Sequence, residues 1–223
     1  MKTKQLQTTP THQAYQLALH SRELYPTIAY GSAGTGKTYG ALKAGIKMLH
    51  DKQIKRIIVT RPNVSFAQTN GFLPGTEREK MEPWVRPILQ NLAKLGINPN
   101  TVESWEKNGT LLFYPLEFVQ GMSFDDALII VDECQNMTFE QLKVFLTRTG
   151  FNARVVLAGD IAQISPKFAN SGLAKLLHMV RVMDIPCQTI GFSREDIVRS
   201  EQCKMWIEAF EDYEAGLYPD EEA

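Results

Sequence analysis

Short apolar runs alternate along this chain with longer stretches in which hydrophobic residues recur every three or four positions. The runs Thr27-Ile-Ala-Tyr30, Arg56-Ile-Ile-Val-Thr60, Leu111-Leu-Phe-Tyr114, Ala127-Leu-Ile-Ile-Val-Asp132, Arg154-Val-Val-Leu-Ala158 and Cys187 to Gly191 predict strands. Arg61-Pro62 ends the second of them. The longer stretches predict helices. Residues 1–26 are polar and then partly helical, and Tyr39 to His50 places Leu42, Ile46 and Leu49 on one face. Glu77 to Leu95 reads as a helix kinked at Pro83 and Pro87 and stopped by Gly96. Thr138 and Gln141 form a capping box opening a helix that ends at Gly150. Gly172 to Met179 and Glu195 to Tyr213 predict two more, while residues 61–76, with Gly71, Pro74 and Gly75, lack any period and read as a loop. Alternating strands and helices make this an α/β chain with a mostly parallel sheet and helices on both faces. Ligands of such sheets gather beyond the carboxyl ends of the strands.

Composition adds boundaries to this picture. The 223 residues are 43% hydrophobic and 22% charged, enough for one domain with a substantial core, here expected over residues 13–210 with an insertion at 63–124. A net charge of −1 excludes a uniformly basic surface, so any nucleic-acid contact must come from a local patch. Cys134, Cys187 and Cys203 are widely spaced and form neither a metal-ligand pair nor a disulfide framework, which fits a reducing cytoplasm. No run approaches 18 apolar residues and no signal-peptide core opens the chain, so the expectation is a soluble cytoplasmic protein.

The chemistry sits at the strand ends. Gly31-Ser32-Ala33-Gly34-Thr35-Gly36-Lys37-Thr38 follows the first strand and spells G-x-x-x-x-G-K-[ST], the loop whose backbone N–H groups close around a polyphosphate. Lys37 supplies a point charge to that phosphate, and the Thr38 hydroxyl is a ligand for Mg²⁺. Asp132 and Glu133 close the fourth predicted strand, where an aspartate holds Mg²⁺ and the next glutamate orients or deprotonates the attacking water. Asp160 and Gln163 follow the fifth, placed to meet the γ-phosphate. Arg194 and Arg199 flank the start of the terminal helix and are candidates for the arginine that phosphoryl transfer gains from, in cis or from a neighbour. Gln13 precedes the first strand with an amide that matches an adenine edge, although an exposed helix glutamine is the ordinary reading.

In order and spacing, the phosphate loop, Thr60-Arg61-Pro62, Gly71-Phe72-Leu73-Pro74-Gly75, Asp132-Glu133-Cys134-Gln135-Asn136, Gly159-Asp160-Ile-Ala-Gln163 and Ser171-Gly172-Leu173 resemble the PhoH-like proteins from about Gln13 to Arg199. The resemblance implies a single RecA-like lobe similar to the motor domains of superfamily 1 helicases, with ATP and Mg²⁺ as cofactors. It implies Gly31 to Thr38 and Asp160 as nucleotide contacts, Gln13 as the adenine-reading glutamine, and Thr38 and Asp132 as metal ligands. Lys37, Glu133, Gln163 and Arg199 then carry the catalysis. It further implies association with RNA and a ring-shaped homo-oligomer, a hexamer among the options, with ATP sites at subunit interfaces. The departures from the family pattern are Ser32, Cys134, Gln120 where arginine is usual, Ser165 where aspartate is usual, and Ser200 where histidine is usual. The chain begins just before the ATPase core, so the expectation is a compact version, of the kind a phage would encode, without room for the appended domains of larger relatives.

The leading expectation is an ATP-hydrolysing motor or remodeller acting on single-stranded RNA or DNA, with Arg61, Arg78 and Arg86 as contacts to the strand. An ATP-coupled ribonuclease would need a second cluster of carboxylates. A small-molecule kinase would need an arginine-rich lid. A module that uses ATP only to assemble stays open, since sequence does not exclude slow turnover at a retained Glu133.

Overall fold

The computed structural model describes residues 8–62, 77–119, 123–160 and 171–217. A six-stranded sheet runs through them: β1 (Thr27–Gly31), β2 (Arg56–Arg61), β3 (Leu111–Pro115), β4 (Ala127–Val131), β5 (Arg154–Gly159) and β6 (Gln188–Phe192). Their spatial order is β3-β2-β4-β5-β1-β6, and every pairing is parallel. The order reverses between β4, β5 and β1, so the phosphate loop after β1 and the acidic pair after β4 face one another across the end of β5. That is the crevice in which open α/β sheets hold ligands.

The period-two alternation of side chains divides the core between the two faces of the sheet. Ile57, Val59, Leu128, Ile130 and Val156 enter one cluster and Ile58, Ile129, Val131, Val155 and Leu157 the other. Helices cover both faces, which is why the central strands are apolar at nearly every position. The first cluster is completed by Tyr15 and Leu19 of α1 (Pro10–Leu19), Leu42 and Met48 of α2 (Lys37–His50), and Ile88 and Leu92 of α3 (Glu77–Lys94). Val102 and Trp105 of α4 (Pro99–Lys107) pack against its edge. The second is completed by Leu116 and Val119 of α5 (Leu116–Val119), Leu142 and Phe145 of α6 (Phe139–Leu146), and Leu173 and Leu176 of α7 (Gly172–Val182). The described part of the expected insertion at 63–124 thus gives β3 to the edge of the same sheet and α3 to the same core. No helix among the described residues is long and apolar enough to cross a membrane.

Several boundaries differ from the sequence expectation for local reasons. The Thr138–Gln141 capping box opens α6 as expected, but the helix ends at Leu146 with Thr147 as its cap, before Gly150. Helix α4 has no counterpart in the sequence expectation, although Asn98, whose side chain accepts from Thr101 N, and Pro99 are ordinary start signals. The terminal helix expected over Glu195 to Tyr213 is broken. A short 3-10 turn spans Arg194–Asp196, Ile197 is extended, and α8 (Glu201–Glu214) restarts on the Ser200 cap. The break lets residues 197–199 run alongside the phosphate loop.

Candidate functional site

The chain leaves β1 through Gly31 at φ +114°, a conformation closed to L side chains, and a Cβ there would lie 1.9 Å from the Phe192 carbonyl oxygen of β6. The phosphate loop therefore turns against the neighbouring strand itself. It ends at Gly36, the left-handed cap of α2, whose N-terminus faces the cleft. Lys37 lies along the inside of the loop, its Nζ donating to the carbonyls of Gly31 at 2.7 Å and Ser32 at 2.8 Å. Burial pulls the Lys37 pKa down, while Asp160, Glu133 and Asp132 oppose that shift. A half-buried ammonium held mainly by carbonyl oxygens is well matched to a polyphosphate, a stronger acceptor at the same place.

The acidic pair stands directly opposite. The Thr38 hydroxyl donates to Asp132 Oδ1 at 2.6 Å. Burial and then the charge of Glu133 raise the Asp132 pKa, against the Thr38 hydrogen bond and Arg61. Arg61, at the end of β2, reaches both carboxylates, at 4.0 Å from Asp132 Oδ2 and 3.5 Å from Glu133 Oε1. Glu133 itself is left-handed at φ +55°, so its side chain departs from the strand direction of Asp132. Its other oxygen, Oε2, accepts from Gln135 Nε2 at 2.6 Å. Asp160, buried at the end of β5, donates its backbone N–H to Gln135 Oε1 at 3.1 Å.

Around these groups lies a cavity of about 350 Å³ lined by the loop, Arg61, Asp132, Glu133, Asp160 and Arg199, with Tyr39, Asn91 and Lys94 on the side of α2 and α3. A hydroxyl and a carboxylate side by side are hard oxygen donors, suited to Mg²⁺, and the glycine-built cradle suits phosphate. The residues present fit both a nucleoside triphosphate and its metal.

Sequence reasoning located most of this set. Gly31 to Thr38, Asp132, Glu133 and Asp160 converge, and Arg199 joins them from its own chain: a Cβ on Gly34 would meet Arg199 Cγ at 2.9 Å. Gln163, the Gly71–Gly75 segment, Gln120 and Ser165 lie outside the described residues, as does the Arg78 side chain. Gln13 is on α1 and is not among the residues lining the cavity. Its neighbour His12 meets the loop instead, with Nε2 at 2.8 Å from the Thr35 carbonyl oxygen. Tyr15 and Gln16 follow on that face, donating to the carbonyls of Lys37 and Gly40. Arg194 is committed elsewhere, in ion pairs with Glu211 at 2.5 Å and with Asp212. Arg86 is exposed on α3. The partnerships of Gln135, His12 and Val198, whose N–H donates to the Gly34 carbonyl at 3.0 Å, had no signal in spacing or composition.

Comparison with known proteins agrees with this geometry. The family described as "PhoH-like protein" matches residues 6–211. The PhoH-like protein of Mycobacterium leprae is 38% identical over 185 residues, covering 82% of this chain and 52% of the relative. Protein PhoH of Escherichia coli K12 is 37% identical over 199 residues, covering 88% of this chain and 55% of the relative. The chain thus spans about half the length of the curated relatives it matches. Among solved structures, the large terminase of a thermophilic bacteriophage superposes with a TM-score of 0.56 at 9% identity, over 92% of this chain and 50% of that one, a likeness of fold alone. A RecA-like P-loop NTPase fold, with its strand-end motifs converging on one cleft and with relatives of this similarity, establishes that the chain belongs to the PhoH family.

Proposed function

We propose that the chain is a cytoplasmic ATPase that binds ATP with Mg²⁺ and hydrolyses it, as a helicase-like motor or remodeller stimulated by single-stranded nucleic acid, RNA in preference to DNA. The observation that carries the reading is the 2.6 Å contact of Thr38 with Asp132, with Glu133 next in the chain and turned out of the strand. The loop N–H groups and Lys37 bind the triphosphate, and Thr38 and Asp132 hold the metal. Mg²⁺ held by Thr38 and Asp132 would offset the negative charge that phosphoryl transfer develops. Glu133 orients the attacking water and takes its proton as the new P–O bond forms, and ADP departs with the electrons of the bond that breaks. Arg199 is placed beside the loop to offset the charge of the transferring group.

The cavity is lined by Val198 and Arg199, just before α8, and Met205, Trp206, Phe210 and Tyr213 of that helix are exposed. An uncovered apolar face beside a single lobe supports a homo-oligomer, such as a hexameric ring, in which a neighbouring subunit completes each site. Phosphate release from ATP, measured with and without single-stranded RNA and DNA at several protein concentrations, tests the whole reading. Turnover should rise with a strand and more than linearly with protein. Glu133→Gln should keep ATP binding and lose turnover by about 10²- to 10⁴-fold, the usual worth of a general base. Turnover that survives in this variant overturns the role of Glu133. Turnover indifferent to strand and concentration removes the motor while leaving the ATPase.

A further inference from the structure

Glu133 is not oriented by its own backbone alone. Its side chain leaves a left-handed residue, and its backbone does not by itself fix where the carboxylate points. Two groups restrain it: Arg61, 3.5 Å from Oε1, and Gln135, two residues on in the 3-10 turn Cys134–Asn136, which makes the shorter contact to Oε2. That glutamine is 1% exposed, and both ends of its amide are engaged. Nε2 donates to Glu133 Oε2 at 2.6 Å, and Oε1 accepts from the Asp160 N–H at 3.1 Å. The amide therefore spans from the carboxylate to the first residue after β5. The contact with β5 is close: a Cβ on Gly159 would lie 2.9 Å from Gln135 Oε1 and 2.8 Å from Cys134 Sγ. No side chain fits between the end of β5 and the turn that carries Gln135.

We infer that Gln135 is a positioning residue for hydrolysis: its amide ties the Glu133 carboxylate to the backbone at Asp160 and so sets the direction from which Glu133 meets the attacking water. Glutamine suits this task because one planar amide presents a donor and an acceptor in opposite directions. Glutamate in its place keeps the acceptor toward Asp160 but sets a second carboxyl against Glu133, which either repels that group or shares a proton with it and so blunts it as a base. Methionine keeps the length and removes both bonds. Catalysis of this kind is sensitive to displacements of about 1 Å in the positioned group. Gln135 is not among the residues lining the cavity, so ATP affinity should not depend on its amide.

The inference rests on the ATPase reading, and its test separates the two. Gln135→Met and Gln135→Glu are compared with the unaltered protein for kcat, for KM and for the affinity of ATP measured by calorimetry. Each variant is also combined with Glu133→Gln. Both single variants should lose at least about tenfold in kcat, with KM and ATP affinity within about twofold of the unaltered protein. In the Glu133→Gln background, followed by single-turnover release of labelled phosphate, neither should lower the residual rate further, because the group it positions is already gone. A merely structural glutamine would lower affinity and turnover together and would reduce the rate again in the double variants; either result overturns the inference. Should Gln135→Met fail to fold, Gln135→Glu, which keeps size and the Asp160 bond, decides alone. An unaltered protein that binds ATP but releases no phosphate defeats the ATPase reading, whereas an active protein with full kcat in these variants defeats only the role of Gln135.

Discussion

Gly34→Ala isolates the contact between the phosphate loop and Arg199. Gly34 has φ +71°, where an L side chain costs about 1–2 kcal/mol. For a chain of this length each kcal/mol lowers Tm by about 2–4 °C, so the strain alone predicts a fall of about 2–8 °C. The new methyl would stand 2.9 Å from Arg199 Cγ and 3.1 Å from Nε, closer than carbon and nitrogen atoms pack. The Arg199 side chain is exposed beyond this contact, so it is the group free to move. Moving it costs little stability but takes the guanidinium away from the phosphates. A well-placed arginine is worth about 10³–10⁵ in kcat among P-loop NTPases, so partial displacement should cost at least about tenfold. The assay is steady-state phosphate release together with ATP affinity, for Gly34→Ala, Arg199→Ala and the double variant. The two losses should not multiply, and the double variant should match Arg199→Ala with ATP affinity within a few-fold throughout. Losses that multiply would refute the reasoning, because the methyl would then act on the loop alone. Full turnover in Gly34→Ala would refute it as well.

Two further outcomes follow from individual contacts. Thr38→Val removes the hydroxyl that donates to Asp132 at 2.6 Å, and the Mg²⁺ concentration needed for half-maximal ATP binding should rise by at least about tenfold, while ATP binding in EDTA stays unchanged. An unshifted Mg²⁺ titration would overturn the proposed role of Thr38 as a metal ligand. Away from the site, the Asn152 amide and then the Lys55 ammonium hold the Asp126 carboxyl below its ordinary range. A depressed folded pKa means that its stabilisation is present above the ordinary aspartate value near about pH 4 and drains as pH falls through the lowered one. Asp126→Asn should therefore lower Tm at about pH 7, with the difference shrinking as pH falls below the ordinary aspartate range, and a pH-independent difference would contradict the sign.

The strands were legible because a parallel strand covered on both faces must be apolar at consecutive positions, and Ile57, Ile58 and Val59 are all fully buried. The phosphate loop and the acidic pair were legible because their residue types follow from their chemistry. What spacing could not reveal is pairing across distance. Gln135 and Asp160 are 25 residues apart, and His12 and Thr35 are 23 apart; only the sheet order brings them together. Helix phase was the other blind point. One step along α1 turns the side chain by about 100°, which separates Gln13 from His12, Tyr15 and Gln16 on the loop side. Polar side chains on the buried-facing side of α1 blur the amphipathic pattern that would have revealed this. The break at Ile197 did leave a local trace, because Ile197 and Val198 are β-branched and Ser200 is an ordinary helix cap, but the backbone bond from Val198 to Gly34 that holds the extended link is again a pairing across distance.

These distant contacts change what the phosphate loop is. Its glycines give it freedom, and both ends of the described chain remove that freedom. From the N-terminal side, His12 meets the Thr35 carbonyl and Tyr15 donates to that of Lys37. From the C-terminal side, Val198 donates to Gly34, and Arg199 lies against the same residue. The two sides are joined to each other, because the Thr9 hydroxyl donates to Asp196, which also accepts from the Ser193 N–H at 2.9 Å. With the Gly34, Thr35 and Lys37 carbonyls held from outside, the N–H groups of that stretch are left to turn inward, the arrangement a phosphate needs. The segments that supply these braces, residues 9–16 and 193–199, both fall within the family match of 6–211, which therefore extends well beyond the loop and the acidic pair. The motif by itself encodes a glycine-rich turn; in this fold α1 and the stretch before α8 close on that turn together and hold its shape.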